Sequence, residues 1–290
     1  KELNYLLKGH QKFLESNVYD FKKEINYWLN TLPKSKGLFN INNSKKVIKE
    51  VPNALQPIFI VGVPRCGSTL IEKIISSGEK SVLMGEETGI ISSFVKRKIL
   101  NNESLNSGIE NFQIDLFKKY KERNLINSTS NYTFTDKTLD NFFYISLIKK
   151  VFPKAKVIHC RRSPISSIIS ILKNNMPTLH WAHNLDNIFK YFDIYHRIVD
   201  EYNKIFPNYM HELELEKLSN NPELESKKLM EFCNLPWSEK CLEFYKRTDL
   251  ISRTTSNLQV RKAVYKHPTI KSNPYKVFLK KYEKKYSWFK

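Results

Sequence analysis

No stretch of this 290-residue chain approaches the about 20 consecutive apolar residues that cross a bilayer. No basic start followed by an apolar stretch marks a signal peptide, because residues 1–20 are polar and helix-like. Cysteine is sparse: Cys66, Cys160, Cys233 and Cys241 form no C-x-x-C pair, which argues against a zinc site or a redox dithiol. Cys66 and Cys160 read as reduced small residues, and a Cys233–Cys241 disulfide is the one pairing left open. Acidic residues are few, 29 against 48 Lys and Arg, for a formal charge of +19. Such a surface attracts nucleic acid, acidic lipid, acidic peptides or sulfated sugars. No cluster resembles a helix-turn-helix or zinc-finger reader, so no nucleic-acid partner is expected. Lys, Asn and Ile are abundant throughout, and most lysines read as solvated surface. Asn42, Asn102, Asn127 and Asn131 open N-x-S/T sequons that matter only in a secreted protein. No internal repeat is evident. The chain starts at Lys1 rather than Met, so an upstream segment is expected to have been removed. The compartment stays open, cytoplasmic in a bacterium, and so does the oligomeric state.

What is present is an alternation of strand and helix patterns. Helical spacing of Leu3, Leu6, Leu7, Phe13, Leu14, Phe21, Ile25, Trp28 and Leu29 predicts two helices broken around Asn17–Tyr19. Residues 33–56 read as a linker. Strands are expected over 58–62, 132–136, 155–160 and 208–213. Helices are expected over 68–77, 86–99, 109–123, 140–151, 164–175, 184–205, 222–234 and 238–247. The tail, 249–290, is polar and aromatic without a strong period. The expected fold is therefore α/β: a P-loop-like, mostly parallel sheet flanked by helices, with a short N-terminal helical appendage. The expected division is 1–50 for appendage and linker and 51–290 for the main domain. Gly62–Ser68, Asp136–Lys137 and Cys160–Pro164 then share one rim, at the carboxyl ends of the strands.

Two segments on that rim suit anions. Residues 57–70 read as an apolar strand, a glycine-bounded turn and an apolar helix, a phosphate cradle at a helix N-terminus. The glycine spacing matches the start of a nucleotide P-loop, but Ser68 stands where a kinase or ATPase needs lysine. The cation in the turn is Arg65 instead. The second segment follows the third strand: Arg161 and Arg162, then Pro164 opening a helix that carries Ser170, eight residues after Arg162. A guanidinium and a hydroxyl there suit one phosphate; the plainer alternative is surface arginines and a packed serine.

Together these motifs resemble the nucleotide-binding halves of PAPS-dependent sulfotransferases. Pro64-Arg-Cys-Gly-Ser-Thr-Leu70 looks like the 5′-phosphosulfate loop, and Arg162 through Ser170 like the 3′-phosphate motif. Phe134-Thr-Asp-Lys-Thr-Leu-Asp-Asn-Phe142, with Leu147 and Phe152-Pro153, resembles the lysine-bearing strand and its helix. Thr254-Thr-Ser-Asn-Leu-Gln-Val-Arg261 resembles the C-terminal stretch of bacterial sulfotransferases linked to tetratricopeptide repeats, and residues 1–31 look like the remnant of such a repeat. Gly85-Glu-Glu-Thr88 resembles a segment of tyrosylprotein sulfotransferases whose second glutamate is the general base. The likeness covers about residues 55–267.

The resemblance implies sulfuryl transfer from PAPS to a hydroxyl, with no metal. Arg65, Cys66, Gly67, Ser68 and Thr69 would bind the 5′ end; Arg162, Ser170 and Arg261 the 3′-phosphate; Lys137 and Ser256 would stand at the bridging oxygen; Glu87 would be the base. Glu86 competes for that role, and both glutamates also suit the start of a helix. His159 is an alternative base, though its place within a strand favours a structural role. His180, His183 and Asp186 could form a metal face, but a helix start with Trp181 packed inward fits them better. Three positions depart from the pattern: Cys66 for serine, Ser163 for aspartate, and Leu215-Glu216 for Tyr-Glu. The glutamate pair and the basic charge favour a tyrosine in an acidic peptide as acceptor; a carbohydrate or small alcohol stays open. The rival classes are a P-loop kinase or NTPase, which the missing lysine opposes, and a non-catalytic helical-repeat adaptor, which leaves the four ordered motifs unexplained.

Overall fold

The computed structural model describes residues 2–16, 18–35, 51–52, 54–79, 82–101, 103, 109–126, 132–250, 263–264 and 275–289. Ser256 and Arg261 lie outside the described residues. The sheet is four-stranded and parallel, in the order β2 (Thr133–Asp136), β1 (Gln56–Gly62), β3 (Lys156–Arg161), β4 (Met210–Glu214). Ile58 to Val61 and Val157 to Cys160 are buried throughout, as expected of parallel strands covered on both faces. Register pairs Gly62 with Cys160, and Cys160 with Leu213, so that the strands end on a common rim.

The N-terminal segment forms α1 (Glu2–Glu15) and α2 (Val18–Asn26), continued by a π-helical turn, Tyr27–Thr31, and α3 (Leu32–Lys34). After β1 come α4 (Ser68–Ser76), α5 (Ile90–Leu100) and α6 (Ile109–Glu122). A 3-10 turn, Leu139–Tyr144, and α7 (Ile145–Val151) follow β2; α8 (Pro164–Lys173) and the long α9 (Leu185–Ile205) follow β3. After β4 come α10 (Leu215–Asn220), α11 (Pro222–Phe232) and, in the tail, α12 (Lys276–Glu283). The N-terminal helices are stitched to the rest: His10 Nδ1 lies 2.9 Å from His183 Nδ1, and its Nε2 2.9 Å from the Leu172 carbonyl. Leu3, Tyr27, Leu29 and Leu32 are buried in the same core as β1 and β3.

Several sequence expectations change. The helix expected over 86–99 begins only at Ile90, because Glu86 and Gly89 are left-handed (φ 52° and 61°) and break it. Residues 139–144 wind as a 3-10 turn rather than an α-helix, and 238–247 as two short turns, Glu239–Cys241 and Phe244–Lys246. The tail, for which no element is expected, contains α12, which sets Tyr282 face to face with Phe189, ring centroids 3.8 Å apart, and donates the Tyr282 hydroxyl to Asp186 at 2.7 Å. Aromatic stacking against α9, rather than an amphipathic repeat, holds it there. Finally, all four cysteines are free and buried, so Cys233 and Cys241 form no disulfide.

Candidate functional site

The strand order puts a topological switch between β1 and β3. The chain leaves β1 toward β2 and returns on the other side for β3, and a crevice opens above the diverging ends. Both anion motifs land there. Gly67, at φ 96°, precedes α4, and a Cβ on it would lie 2.8 Å from Leu215, so only glycine suits the position. Ser68 and Thr69 begin α4, and the first-turn N–H groups of a helix are natural partners of an anion.

Arg65 is left-handed (φ 70°) although it carries a side chain, and it is buried. Its Nε donates to Ser170 Oγ at 2.9 Å, and its carbonyl accepts from Arg162 Nη1 at 3.0 Å. Two motifs about a hundred residues apart in sequence are thus joined through one backbone turn. At the departure from the Tyr-Glu pattern, Glu216 accepts the Ser163 N–H at 3.0 Å and tethers the start of α8 to α10. Cys66 shares a hydrogen bond with the Cys160 thiol, which draws the Cys66 thiol below its usual range, while burial pushes Cys160 up.

The segment Gly85–Gly89 is a loop pinned at both ends. Gly85 is pressed on β2: a Cβ there would meet the Thr135 carbonyl at 2.0 Å. The Glu86 N–H donates to Glu72 at 2.9 Å, and its carbonyl accepts the Lys137 N–H at 2.7 Å. At the other end Thr88 Oγ1 donates to Asp136 at 2.7 Å, and the Gly89 N–H to Thr138 Oγ1 at 2.9 Å. Glu87 projects between these anchors, its side chain 58% exposed, with Oε1 3.1 Å from Lys137 Nζ. Lys137 is fully buried. Burial works against its charge, and the carboxylates of Glu72 and Glu87 more than offset that, so its ammonium persists above the usual lysine range.

A cavity of about 410 Å³ opens beside these groups, within the range of small-molecule sites. Arg65, Ser68, Thr69 and Glu87 line it together with the apolar side chains of Trp28, Leu139, Met176, Leu179, Trp181 and Tyr191, half of them aromatic. Trp181 stacks on Tyr191 at 3.8 Å. Asp140 also lines the cavity, and burial pushes its carboxyl up to about 7. From the ordinary carboxylate range up to about 7 the folded protein therefore holds a proton that the unfolded chain has released. Stability from this group falls as pH rises through that window and levels off above it. The slope of Tm against pH in this window should flatten in Asp140→Asn, as scanning calorimetry would show; an unchanged slope would count against the burial of this carboxyl.

Residues 57–239 match the model of the sulfotransferase family. The chain belongs to the sulfotransferase family. A protein of uncharacterized function from Aquifex aeolicus (strain VF5) is 31% identical over 238 residues, which cover 77% of this chain and 31% of that protein; the chain spans about a third of that relative's length. Among solved structures, a mouse sulfotransferase complexed with PAP aligns over 88% of this chain and 87% of its own, with 11% identity and a TM-score of 0.50. The sulfotransferase domain of the Synechococcus PCC 7002 olefin synthase aligns over 76% and 88%, with 16% identity and a TM-score of 0.49. The mouse structure shares the fold.

In this chain the fold brings together Arg65, Gly67, Ser68, Thr69, Arg162 and Ser170, and sets Glu87 on Lys137. Among the described residues, no helix is long and apolar enough to cross a membrane, and no group of three or more His, Cys, Asp or Glu converges as a metal site. His183 faces His10 and the Met176 carbonyl, away from any ligand role with Asp186. His159 is buried against Tyr195 and is not among the cavity residues. Sequence reading passed over Glu72, Asp140 and Trp28. The Glu72-Lys73 pair inside the otherwise apolar segment Leu70–Ile75 was the available signal for the first; the others look like ordinary helix residues in sequence.

Proposed function

We propose that the chain transfers a sulfuryl group from PAPS to an acceptor hydroxyl held in the cavity, with Glu87 as general base. The observation that carries the reading is the Glu87–Lys137 contact at 3.1 Å on the edge of a cavity that Arg65, Ser68 and Thr69 also line. A carboxylate, two cations and a helix N-terminus converge where a hydroxyl would meet an anionic donor. The donor set also fits a nucleotide charged at both ends: Arg65 and the α4 N-terminus for the 5′ end, with Ser256 as a further candidate there, and Arg162 and Ser170 for the 3′-phosphate, with Arg261 as a further candidate. PAPS, when bound, supplies the sulfuryl group and a phosphate leaving group. Lys137 and Arg65 would hold charge building on that phosphate, and Glu87 would take the acceptor proton.

The aromatic lining of Trp28, Trp181 and Tyr191, with the basic surface, favours a tyrosine hydroxyl in an acidic peptide over a glycan. We assign residues 1–50 as a helical appendage and linker to the catalytic domain 51–290, with Trp28 the appendage's contribution to the cavity.

Calorimetry should find tight binding of adenosine 3′,5′-bisphosphate and none of ATP; the reverse preference would favour a P-loop kinase or NTPase. A screen of tyrosine peptides against glycans with labelled PAPS would then identify the acceptor class. Glu87→Gln should lower kcat by about 10²–10⁴, keep bisphosphate affinity and leave Tm nearly unchanged, since the side chain is exposed. Glu86→Gln should keep most of its activity. Equal losses in the two variants would refute the assignment of the base.

A further inference from the structure

Glu72 is a carboxylate that the proposed reaction does not use, yet it sits at the hub of the site. It lies on α4, the helix that the phosphate loop opens, and is completely buried. Its Oε1 accepts two hydrogen bonds, from Thr135 Oγ1 at 2.7 Å and from the Glu86 N–H at 2.9 Å. Thr135 Oγ1 in turn accepts the Gly85 N–H at 3.1 Å. Its Oε2 is buried without a hydrogen-bond partner and stands 4.0 Å from Lys137 Nζ. One side chain therefore holds the left-handed Glu86 peptide that projects Glu87 and fixes a second carboxyl beside Lys137. Isolated buried carboxylates are costly, so an oxygen left unbonded beside an ammonium asks for a reason.

We propose that Glu72 is a positioning residue for sulfuryl transfer: it anchors the Gly85–Gly89 loop and balances the Lys137 ammonium, so that Glu87 is not the only carboxylate holding that charge and is free to accept the acceptor proton. The inference rests on the sulfuryl-transfer reading. In the structure Lys137 divides its contacts between Glu87, which is exposed and able to swing away, and Glu72, which two hydrogen bonds fix. With Glu72 neutral, the whole ion pair would fall on Glu87, and the base would be bound to the cation it must leave. The titratable groups that face Lys137 are Glu72 from α4, Glu86 and Glu87 from the loop, and Cys160 from β3.

Glu72→Gln keeps an acceptor for Thr135 and Glu86 and removes the charge. With carbon-13-labelled lysine, the Lys137 signal is the one missing from Lys137→Met. Its NMR titration should show about a tenfold or greater loss of proton affinity in Glu72→Gln. In turnover, kcat should fall on the order of 10²-fold, and the alkaline limb of its pH profile should move to lower pH. A lost packing contact would lower Tm and kcat without moving that limb or the titration. Identical Lys137 titrations in two folded proteins would overturn the proposal. Should Glu72→Gln fail to fold, the wild-type protein still decides: the Glu86 amide must exchange slowly, and fast exchange there would overturn the proposal. A wild-type protein that moves no sulfuryl group from PAPS defeats the proposed function instead, while the lysine titration still decides whether Glu72 balances Lys137.

Discussion

Lys137→Ala is expected to abolish sulfuryl transfer, by about 10²–10³ or more, as when one pre-placed donor is removed from a developing anion. The loss should fall on kcat, with binding of adenosine 3′,5′-bisphosphate kept by Arg65, Arg162 and Ser170. The same change should also destabilise the fold, because Lys137 and Glu72 are both fully buried and only 4.0 Å apart. Removing one partner of a buried pair costs about 3–5 kcal/mol when the other stays charged. Burial already raises the Glu72 carboxyl to about 7 with Lys137 holding it down, and without that ammonium it rises further. The folded variant then holds a proton that the unfolded chain releases above the ordinary carboxylate range, so the variant loses stability as pH rises through neutrality. Scanning calorimetry at pH 6 and 8.5 should find the larger deficit at 8.5. Adding Glu72→Gln should restore Tm but not turnover. Ordinary activity in Lys137→Ala would remove the lysine from the mechanism.

Arg65 separates function from stability in a different way. Its guanidinium is the cation inside the phosphate turn, so Arg65→Ala should cost about 10²–10³ in kcat/KM. Lysine should recover little, because a point charge cannot reproduce the fork that reaches Ser170. Arg65 is also left-handed, which costs a residue with a side chain about 1–2 kcal/mol that glycine does not bear. Arg65→Gly should therefore melt above Arg65→Ala while being equally inactive. An active Arg65→Gly protein, or one no more stable than the alanine variant, would mean that the turn does not serve the chemistry. Strain kept at a functional position and recoverable by glycine is the pattern expected of a turn selected for where it aims its side chain.

Much of the scaffold was legible because it rests on local rules. Ile58–Val61 is an apolar run short enough to be a strand, Val157–Cys160 is one interrupted only by His159, Gly67 marks the turn, and Pro164 opens α8. Elements failed where the local pattern was overridden. Residues 86–89 carry a helix-compatible sequence but are pulled into a loop by Glu72, Thr135 and Asp136. The glutamates therefore do not simply begin a helix. The tail gained α12 from stacking on Phe189, a contact no periodicity in the tail announces.

The sequence alone determined the alternation of strands and helices, the glycine-bounded turn with arginine in place of the P-loop lysine, and the order of the motifs. Each depends on residues within a turn or two of one another, where sterics and hydrogen-bond geometry act directly. Tertiary structure alone decided that the Arg65 carbonyl meets Arg162, that Glu87 reaches Lys137 across 50 residues, and that buried Glu72 stands behind both. Such pairings come from the parallel register of β2, β1 and β3, which brings the strand ends together; burial then sets the Glu72 carboxyl beside Lys137.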